Sequence, residues 1–322
     1  MKSFILENEI LRAEFIEYGA RLKSLVYKPA GTDVCVGCDS GEDYLLDSSN
    51  FGATVGRYCN RIANAAFDLD GVHYTLPAND GTNCLHGGRG FAYRNFTGEK
   101  ADKSDLVLVY TSPDGEEGFP GELKVSAHFY LDGGALVAEY RARTDKPTIC
   151  CITNHTYFNL DGEGNIGSHI LKVNADEFLA IDSSLIPTER TDVTGTPFDF
   201  RTAHAVSDKI DDDDEQLRLA GGYDHTFIIR GTGMREAAVL SSRATGIRMT
   251  LETNMPGVQV YSGNFMGKGQ PLLRGGKRQQ RRHGICLEPQ LFPNSPNRPD
   301  FPSSVLRPGE EFVSRTKYIF DR

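Results

Sequence analysis

The sequence predicts an all-β protein, a sandwich or a barrel. Three observations lead there. Short runs of β-branched and aromatic residues recur at close spacing, separated by Gly, Pro, Asn and Asp. Two of the connections read as tight hairpin turns. No regular strand–helix alternation occurs, so a doubly wound parallel sheet is not expected.

Taken in order, residues 10–27 carry β-formers on either side of Gly19 and read as two short strands around a turn. Residues 33–50 hold Asp, Gly and Ser and read as loop. In 67–76 (FDLDGVHYTL), apolar residues alternate on both sides of Asp70-Gly71, the pattern of a β-hairpin. The run 105–111 (DLVLVYT) suits a buried strand, and 112–121 (SPDGEEGFPG) is a Gly/Pro loop. A second hairpin follows, ELKVSAHFYL and ALVAEYRART, joined by Asp132-Gly133-Gly134. Later strands are predicted in HILKVNA, HTFIIR, AAVLSS, IRMTLET and VQVYSGNF. Only 206–220 has helical character, and that helix should be short.

The stretch 284–297 (GICLEPQLFPNSPN) sets an apolar run before Glu288 and then Pro289. A residue before proline is pushed toward extended geometry, which predicts Glu288 at the end of a buried strand. Prolines 289, 293, 296, 299 and 302 exclude a helix after it. A rigidly held acid is either a general base or a plain salt-bridge partner.

At 322 residues the chain could form one large β domain or two smaller ones, with a sizeable core. It shows no fixed short repeat and no Gly/Ser linker. An apolar fraction of 39% with 25% charged residues is ordinary for a soluble protein. The net charge of −9 argues against nucleic acid and anionic membranes as partners. Seven cysteines, an odd and sparse set, fit a reducing cytoplasmic setting better than a secreted disulfide framework. Phe4-Ile5-Leu6 is too short for a signal sequence, and no apolar run approaches the ~18 residues of a membrane span. The sequons at Asn95 and Asn154 are therefore read as chance.

Several motifs carry polar chemistry. Arg61, in GRYCNRI, could clamp ligand oxygens or make a salt bridge. His86 lies before Gly87-Gly88, whose small size would let backbone approach a ligand, but it could be a plain loop histidine. His155, in NHTYFN, is flanked by amides, a hydroxyl and aromatics, a mixture that suits both the hydroxyls and the C–H face of a sugar. Asp224 could accept hydroxyls or start a strand through an Asx-turn. Gln259 and Tyr261 share a strand face opposite Val258 and Val260, facing a pocket or water. Other signals fail. The Gly162-x-Gly164-x-x-Gly167 pattern leads into a strand, not the helix a dinucleotide needs. Cys35-x-x-Cys38 has no partner pair at zinc spacing, the acidic run 211–215 lacks calcium-loop spacing, and no Gly-x-Ser-x-Gly elbow occurs. The basic run 274–283 could touch an anion but has no flanking aromatics.

Together the motifs resemble the aldose 1-epimerase (galactose mutarotase) family. GRYCNRI (56–62), LHGG (85–88), SPDGEEGFPG (112–121), NHTYFNL (154–160), YDHTF (223–227), PGVQVYSGNF (256–265), CLEPQLFPNSPN and LRPGEEF follow one another along nearly the whole chain. One departure is Pro289, where other members can carry another residue; Glu288 and Gln290 persist. The resemblance implies a large antiparallel β-sandwich, a supersandwich, formed as a single domain over 1–322. It implies interconversion of the α and β anomers of free aldohexoses such as glucose and galactose, with no cofactor and no metal. Carried over by motif, Glu288 is the general base and His155 the general acid, while Asn60, Arg61, His86, Asp224 and Gln259 hold sugar hydroxyls. A monomer or homodimer acting on a small aldose in the cytoplasm is the expectation. Tyr157, Phe158 and Phe292 are the candidates for stacking on the sugar. Two other readings stand beside this one. One is an epimerase of the same fold acting on a sugar phosphate, which requires clustered cations at the pocket. The other is a non-catalytic sugar-binding module.

Overall fold

In a computed structural model, residues 1–267 and 271–322 are described. Among them, strands dominate and the ladders of the two large sheets are antiparallel. A nine-stranded sheet runs from Thr97–Ala101 through the long hairpin Leu123–Asp132/Ala135–Thr144 and Phe312–Asp321 to His204–Ala205. A six-stranded sheet orders Tyr157–Phe158, Ile285–Gln290, Gly257–Tyr261, Asp224–Ile229, Ala175–Ile181 and Pro187–Asp192. Side chains on the facing surfaces share one apolar core; Phe129, Tyr140 and Leu251 of the larger sheet join Phe227, Val260 and Leu287 of the smaller. The molecule is thus the β-sandwich that the resemblance implies.

The predicted hairpins form where the turn chemistry places them. Ala66–Leu69 pairs with Val72–Thr75 around Asp70 (φ 51°) and Gly71 (φ 80°). Two consecutive positive φ values match the twist of the flanking strands, and Asp-Gly reaches them at little cost. In the second hairpin, Asp132 pairs with Ala135, so Gly133-Gly134 alone makes the turn. Residues 10–27 form strands Leu11–Ile16 and Arg21–Tyr27. The predicted helix shrinks to Glu215–Ala220, capped by the Asp214 side chain and ended by Gly221 in the left-handed region, with a 3-10 turn at Val206–Asp208. The loop prediction for 33–50 holds apart from Asp33, which belongs to the short strand Thr32–Asp33, and a 3-10 turn at Glu42–Leu46.

One expectation is corrected. Glu288 sits inside strand Ile285–Gln290, not at its end: the ladder with Gly257–Tyr261 continues through Pro289 to Gln290. The neighbour on the other edge, Tyr157–Phe158, pairs only with Cys286 and Ile285. Leu287–Gln290 therefore has a ladder on one side only, where a strand tolerates proline. The extended geometry that Pro289 imposes serves the strand and does not terminate it.

Candidate active site

Two rows of side chains across the six-stranded sheet build the floor of a cavity. Thr226, Gln259 and Glu288 stand opposite one another on three adjacent strands, and so do Asp224, Tyr261 and Cys286. The period of two along each strand puts both rows on one face. The alternating residues Phe227, Val258, Val260 and Leu287 face the core on the other side. The sheet is therefore buried on both faces, by apolar packing on one and by a polar pocket on the other.

The cavity measures about 320 Å3 and is lined by Asn60, Arg61, His86, His155, Asp224, Gln259 and Glu288, all seven residues predicted from the sequence. Its volume falls at the small end of the ~300–1,000 Å3 typical of small-molecule sites. Of the three aromatic candidates, Tyr157 lines it. Phe158 does not: it is fully buried in the main core with its ring 5.1 Å from Tyr318. Phe292 packs with Phe301 and Leu179 in a separate cluster. Strand alternation turns Phe158 away from the side occupied by Tyr157. Tyr261, which the sequence leaves facing a pocket or water, lines the cavity, and Phe265 is an aromatic wall that the sequence reading missed; their rings stack 6.3 Å apart, and Phe265 is exposed at the mouth.

Local structure explains how the loop residues reach the cavity. Asn60 takes φ 61°, a region asparagine tolerates, and its Oδ1 accepts the Arg61 backbone N–H at 2.9 Å. The Asn60 backbone N–H donates to His86 Nδ1 at 3.1 Å. That bond places the ring proton on Nε2, which makes His86 a donor to the cavity. Neither glycine after His86 is among the residues that line the cavity. A Cβ on Gly87 would lie 2.5 Å from the Gly56 carbonyl oxygen, so its smallness lets two backbone segments meet. Arg61 makes the salt bridge offered for it and also lines the cavity: its Nε donates to Asp80 Oδ2 at 2.7 Å. Asp80 lies in a loop with no periodic pattern, and no local signal points to it.

A buried hydrogen-bond chain fixes the amide and the acid. Gln259 Nε2 donates to Asp224 Oδ1 at 2.7 Å, Thr226 Oγ1 donates to Gln259 Oε1 at 2.5 Å, and Gln290 Nε2 donates to Thr226 Oγ1 at 3.3 Å. Asp224 is thus a strand residue whose Oδ1 accepts from Gln259, not an Asx-turn. The rim 48–50 is held from beneath. The fully buried Arg21 donates to Asp47 Oδ2 at 2.7 Å and to the carbonyls of Phe51 and Ala92, while Asp47 accepts the N–H groups of Ser49 and Phe51. Tyr157 O–H donates to the Ser49 carbonyl at 3.0 Å.

His155 ends strand Thr153–His155, opposite Ala53, and its Nε2 lies 3.8 Å from Glu288 Oε1. Its Nδ1 is 3.5 Å from Cys286 Sγ. Both groups are buried, and Glu288 Oε2 has no hydrogen-bond partner among the described residues. Burial sets their proton affinities. It pushes His155 down to about 4, with the Arg21 charge adding to the effect. It pushes Glu288 well above the usual carboxylate range, helped by the negative Asp224. Arg61 pulls Glu288 the other way and is outweighed. Asp224 is raised by burial against Arg61 and Gln259, and His86 is lowered by burial, His155 and Arg61.

The basic run 274–283 lies elsewhere and is largely paired. Arg274 bridges Asp33, Lys277 bridges Glu163 and Arg282 bridges Asp211. All seven cysteines, Cys35 and Cys38 included, are buried free thiols. Among the described residues, no helix is long and apolar enough to cross a membrane.

Comparison with known proteins agrees with this geometry. The family model for aldose 1-epimerase matches residues 2–319. Galactose mutarotase of Bos taurus is 39% identical over 99% of this chain and 94% of its own length. Aldose 1-epimerase of Escherichia coli strain K12 is 40% identical over 89% of this chain and 85% of its own. A GalM/aldose epimerase homologue from C. elegans superposes with a TM-score of 0.92 at 28% identity, covering 100% of this chain and 99% of the other. Galactose 1-epimerase from Lactobacillus acidophilus superposes with a TM-score of 0.87 at 32% identity, covering 98% and 93%. With that match running almost end to end, the chain belongs to the aldose 1-epimerase family of isomerases.

Proposed function

We propose that this protein interconverts the α and β anomers of free aldohexoses such as glucose and galactose, with Glu288 and His155 exchanging the protons. The observation that carries this reading is the 3.8 Å separation of His155 Nε2 and Glu288 Oε1 beside a cavity rimmed with sugar-sized polar groups. The two oxygens that must exchange protons, O1 and O5, are bonded to the same carbon. An acid and a base this close can serve both at once.

The pair needs one proton in total. With Glu288 ionised and His155 protonated, the carboxylate takes the proton from the C1 hydroxyl. The C1–O5 electron pair passes to O5, which takes the proton from His155. The open aldehyde then faces a protonated Glu288 and a neutral His155. After rotation about C1–C2, His155 takes the proton back from the O5 hydroxyl, Glu288 gives its proton to O1, and the ring closes from the other face. Burial favours the uncharged distribution of that single proton. The charged one forms against sugar hydroxyls and Arg61, and the dyad titrates as a unit. Asn60, Arg61, His86, Asp224 and Gln259 hold the remaining hydroxyls. Tyr157, Tyr261 and Phe265 offer the apolar walls for the C–H face.

The sugar-phosphate alternative needs clustered cations. Of the cavity's lining residues, Arg61 is the arginine and none is a lysine; it is already engaged by Asp80, and Asp224 and Glu288 add negative charge. A free aldose fits that balance better. Seven unpaired thiols suit the reducing cytoplasm, and we retain one domain over 1–322 working as a monomer or homodimer. Polarimetry on fresh α-D-glucose and α-D-galactose tests the function. Acceleration over buffer with the free sugars, and little with glucose 6-phosphate, is expected; no acceleration on any common aldose removes the reading.

A further inference from the structure

Cys286 is not used by the reaction described above, yet it stands against the dyad. It lies two residues before Glu288 on one strand, so both side chains leave the same face of the sheet. His155 enters from the strand Thr153–His155. One donor atom from each of His155, Cys286 and Glu288 lies within 4.8 Å of the other two, the one such grouping among the described residues. All three are at most 5% exposed. The Glu288 Oε2 lone pairs are buried and unclaimed, a second observation that marks the cluster as able to take a ligand.

We propose that His155, Cys286 and Glu288 form a zinc-binding site whose occupation blocks the pocket. Zinc takes thiolate sulfur at about 2.3 Å, imidazole nitrogen at about 2.0–2.1 Å and carboxylate oxygen at about 2.0–2.2 Å, so its tetrahedral ligand atoms stand roughly 3.5 Å apart. Cys286 Sγ lies 3.5 Å from His155 Nδ1, and Glu288 Oε1 lies 3.8 Å from His155 Nε2; zinc takes only one ring nitrogen, and one donor atom from each of the three residues lies within 4.8 Å of the other two. Small side-chain rotations complete three vertices. The fourth opens on the cavity, where water or a sugar oxygen fills it. Binding releases the thiol proton, and the carboxyl proton when Glu288 carries one, to solvent. A dication with a thiolate, a carboxylate and a neutral imidazole is an uncharged centre, which a buried site accepts. The mixed sulfur, nitrogen and oxygen set favours zinc over magnesium and calcium, which prefer oxygen ligands alone.

Occupation removes from service the two groups that move protons, so the inhibition rests on the proposed function, whereas the binding does not. The test uses the full chain after chelator treatment, in two arms. Cobalt(II), added as a spectroscopic probe, should give a near-ultraviolet sulfur-to-metal absorption band in the wild type. The band should be lost in Cys286→Ala and in the near-isosteric Cys286→Ser. The controls matter because Cys59 and Cys151, with sulfurs 3.2 Å apart, are another pair of thiols. In the second arm zinc should slow mutarotation competitively with the aldose, about tenfold or more less potently against the Cys286 variants. Magnesium should not inhibit. A missing cobalt band, or a band unchanged in both variants, overturns the site. Equal zinc potency on wild type and variants overturns the inhibition. A cobalt band on a protein without mutarotase activity would instead sink the proposed function and leave the site standing.

Discussion

Glu288→Gln separates chemistry from architecture at one position. Glutamine keeps the shape of the side chain and loses only the ability to take and return a proton. A well-placed proton transfer contributes about 10²–10⁴ in rate, roughly 3–5 kcal/mol of barrier. Turnover should therefore fall by about that factor. Stability should move the other way. In the wild type a carboxyl group is buried, one of its oxygens has no partner, and burial opposes its ionised form. A group whose folded pKa is raised stabilises the fold below its unfolded pKa, and that contribution is lost as pH rises through the folded value. At alkaline pH the glutamine variant should thus be at least as stable as wild type, and by up to about 1–2 kcal/mol more so. Polarimetry on α-D-galactose gives the rate, and urea unfolding at two pH values gives the stability. A variant that keeps more than about a tenth of the turnover refutes the proton-transfer role. One that loses activity because it is several kcal/mol less stable shows the carboxylate to be structural, which refutes the reasoning from burial.

His155→Asn should lower turnover by about 10²–10⁴ with little change in the aldose KM; near-normal turnover would remove it from the dyad. Gln259→Leu strips Asp224 of its donor and the sugar of an amide, so KM should rise about tenfold or more, and an unchanged KM would contradict its place in the site. Arg21→Met leaves Asp47 buried without its cation and should cost about 3–5 kcal/mol in urea unfolding; less than about 1 kcal/mol would mean that the pair does not anchor the rim. Phe158→Ala should destabilise by about 3–5 kcal/mol through its core cavity, while Phe265→Ala should leave stability within about 0.5 kcal/mol and raise KM. The opposite pattern would restore Phe158 as a sugar-facing ring.

Much of this molecule is readable from its residues because the signals are local. Asp70-Gly71 and Gly133-Gly134 specify hairpins through their own backbone preferences, and the pairing around them follows. The seven site residues are reached through motif resemblance; taken one at a time, Glu288, Arg61, His86, His155, Asp224 and Gln259 each also have a bland reading. What the sequence hid depends on which strands become neighbours. Thr226 lies two residues after Asp224, so their shared face is legible, but its bond to Gln259 exists only once their two strands pair. Phe158 and Tyr157 are adjacent and aromatic, and nothing local says which one the pocket receives. Glu288 before Pro289 looks like a strand end because the partner strand that carries the ladder past the proline lies some thirty residues upstream. Asp80 is invisible for the same reason, since a loop carboxylate gains meaning only from the arginine that the fold brings to it.

The floor of the pocket also makes catalysis an audit of folding. Thr226, Gln259 and Glu288 share their strands with Phe227, Val258 and Leu287 in strict alternation. Sliding one strand by a single residue would carry a carboxylate or an amide into the apolar interior and push a valine or leucine into the cavity. A slipped molecule could keep its β content, and circular dichroism would pass it. It could not turn over sugar. The turnover recovered after refolding therefore counts the chains whose strands found their correct partners, residue for residue.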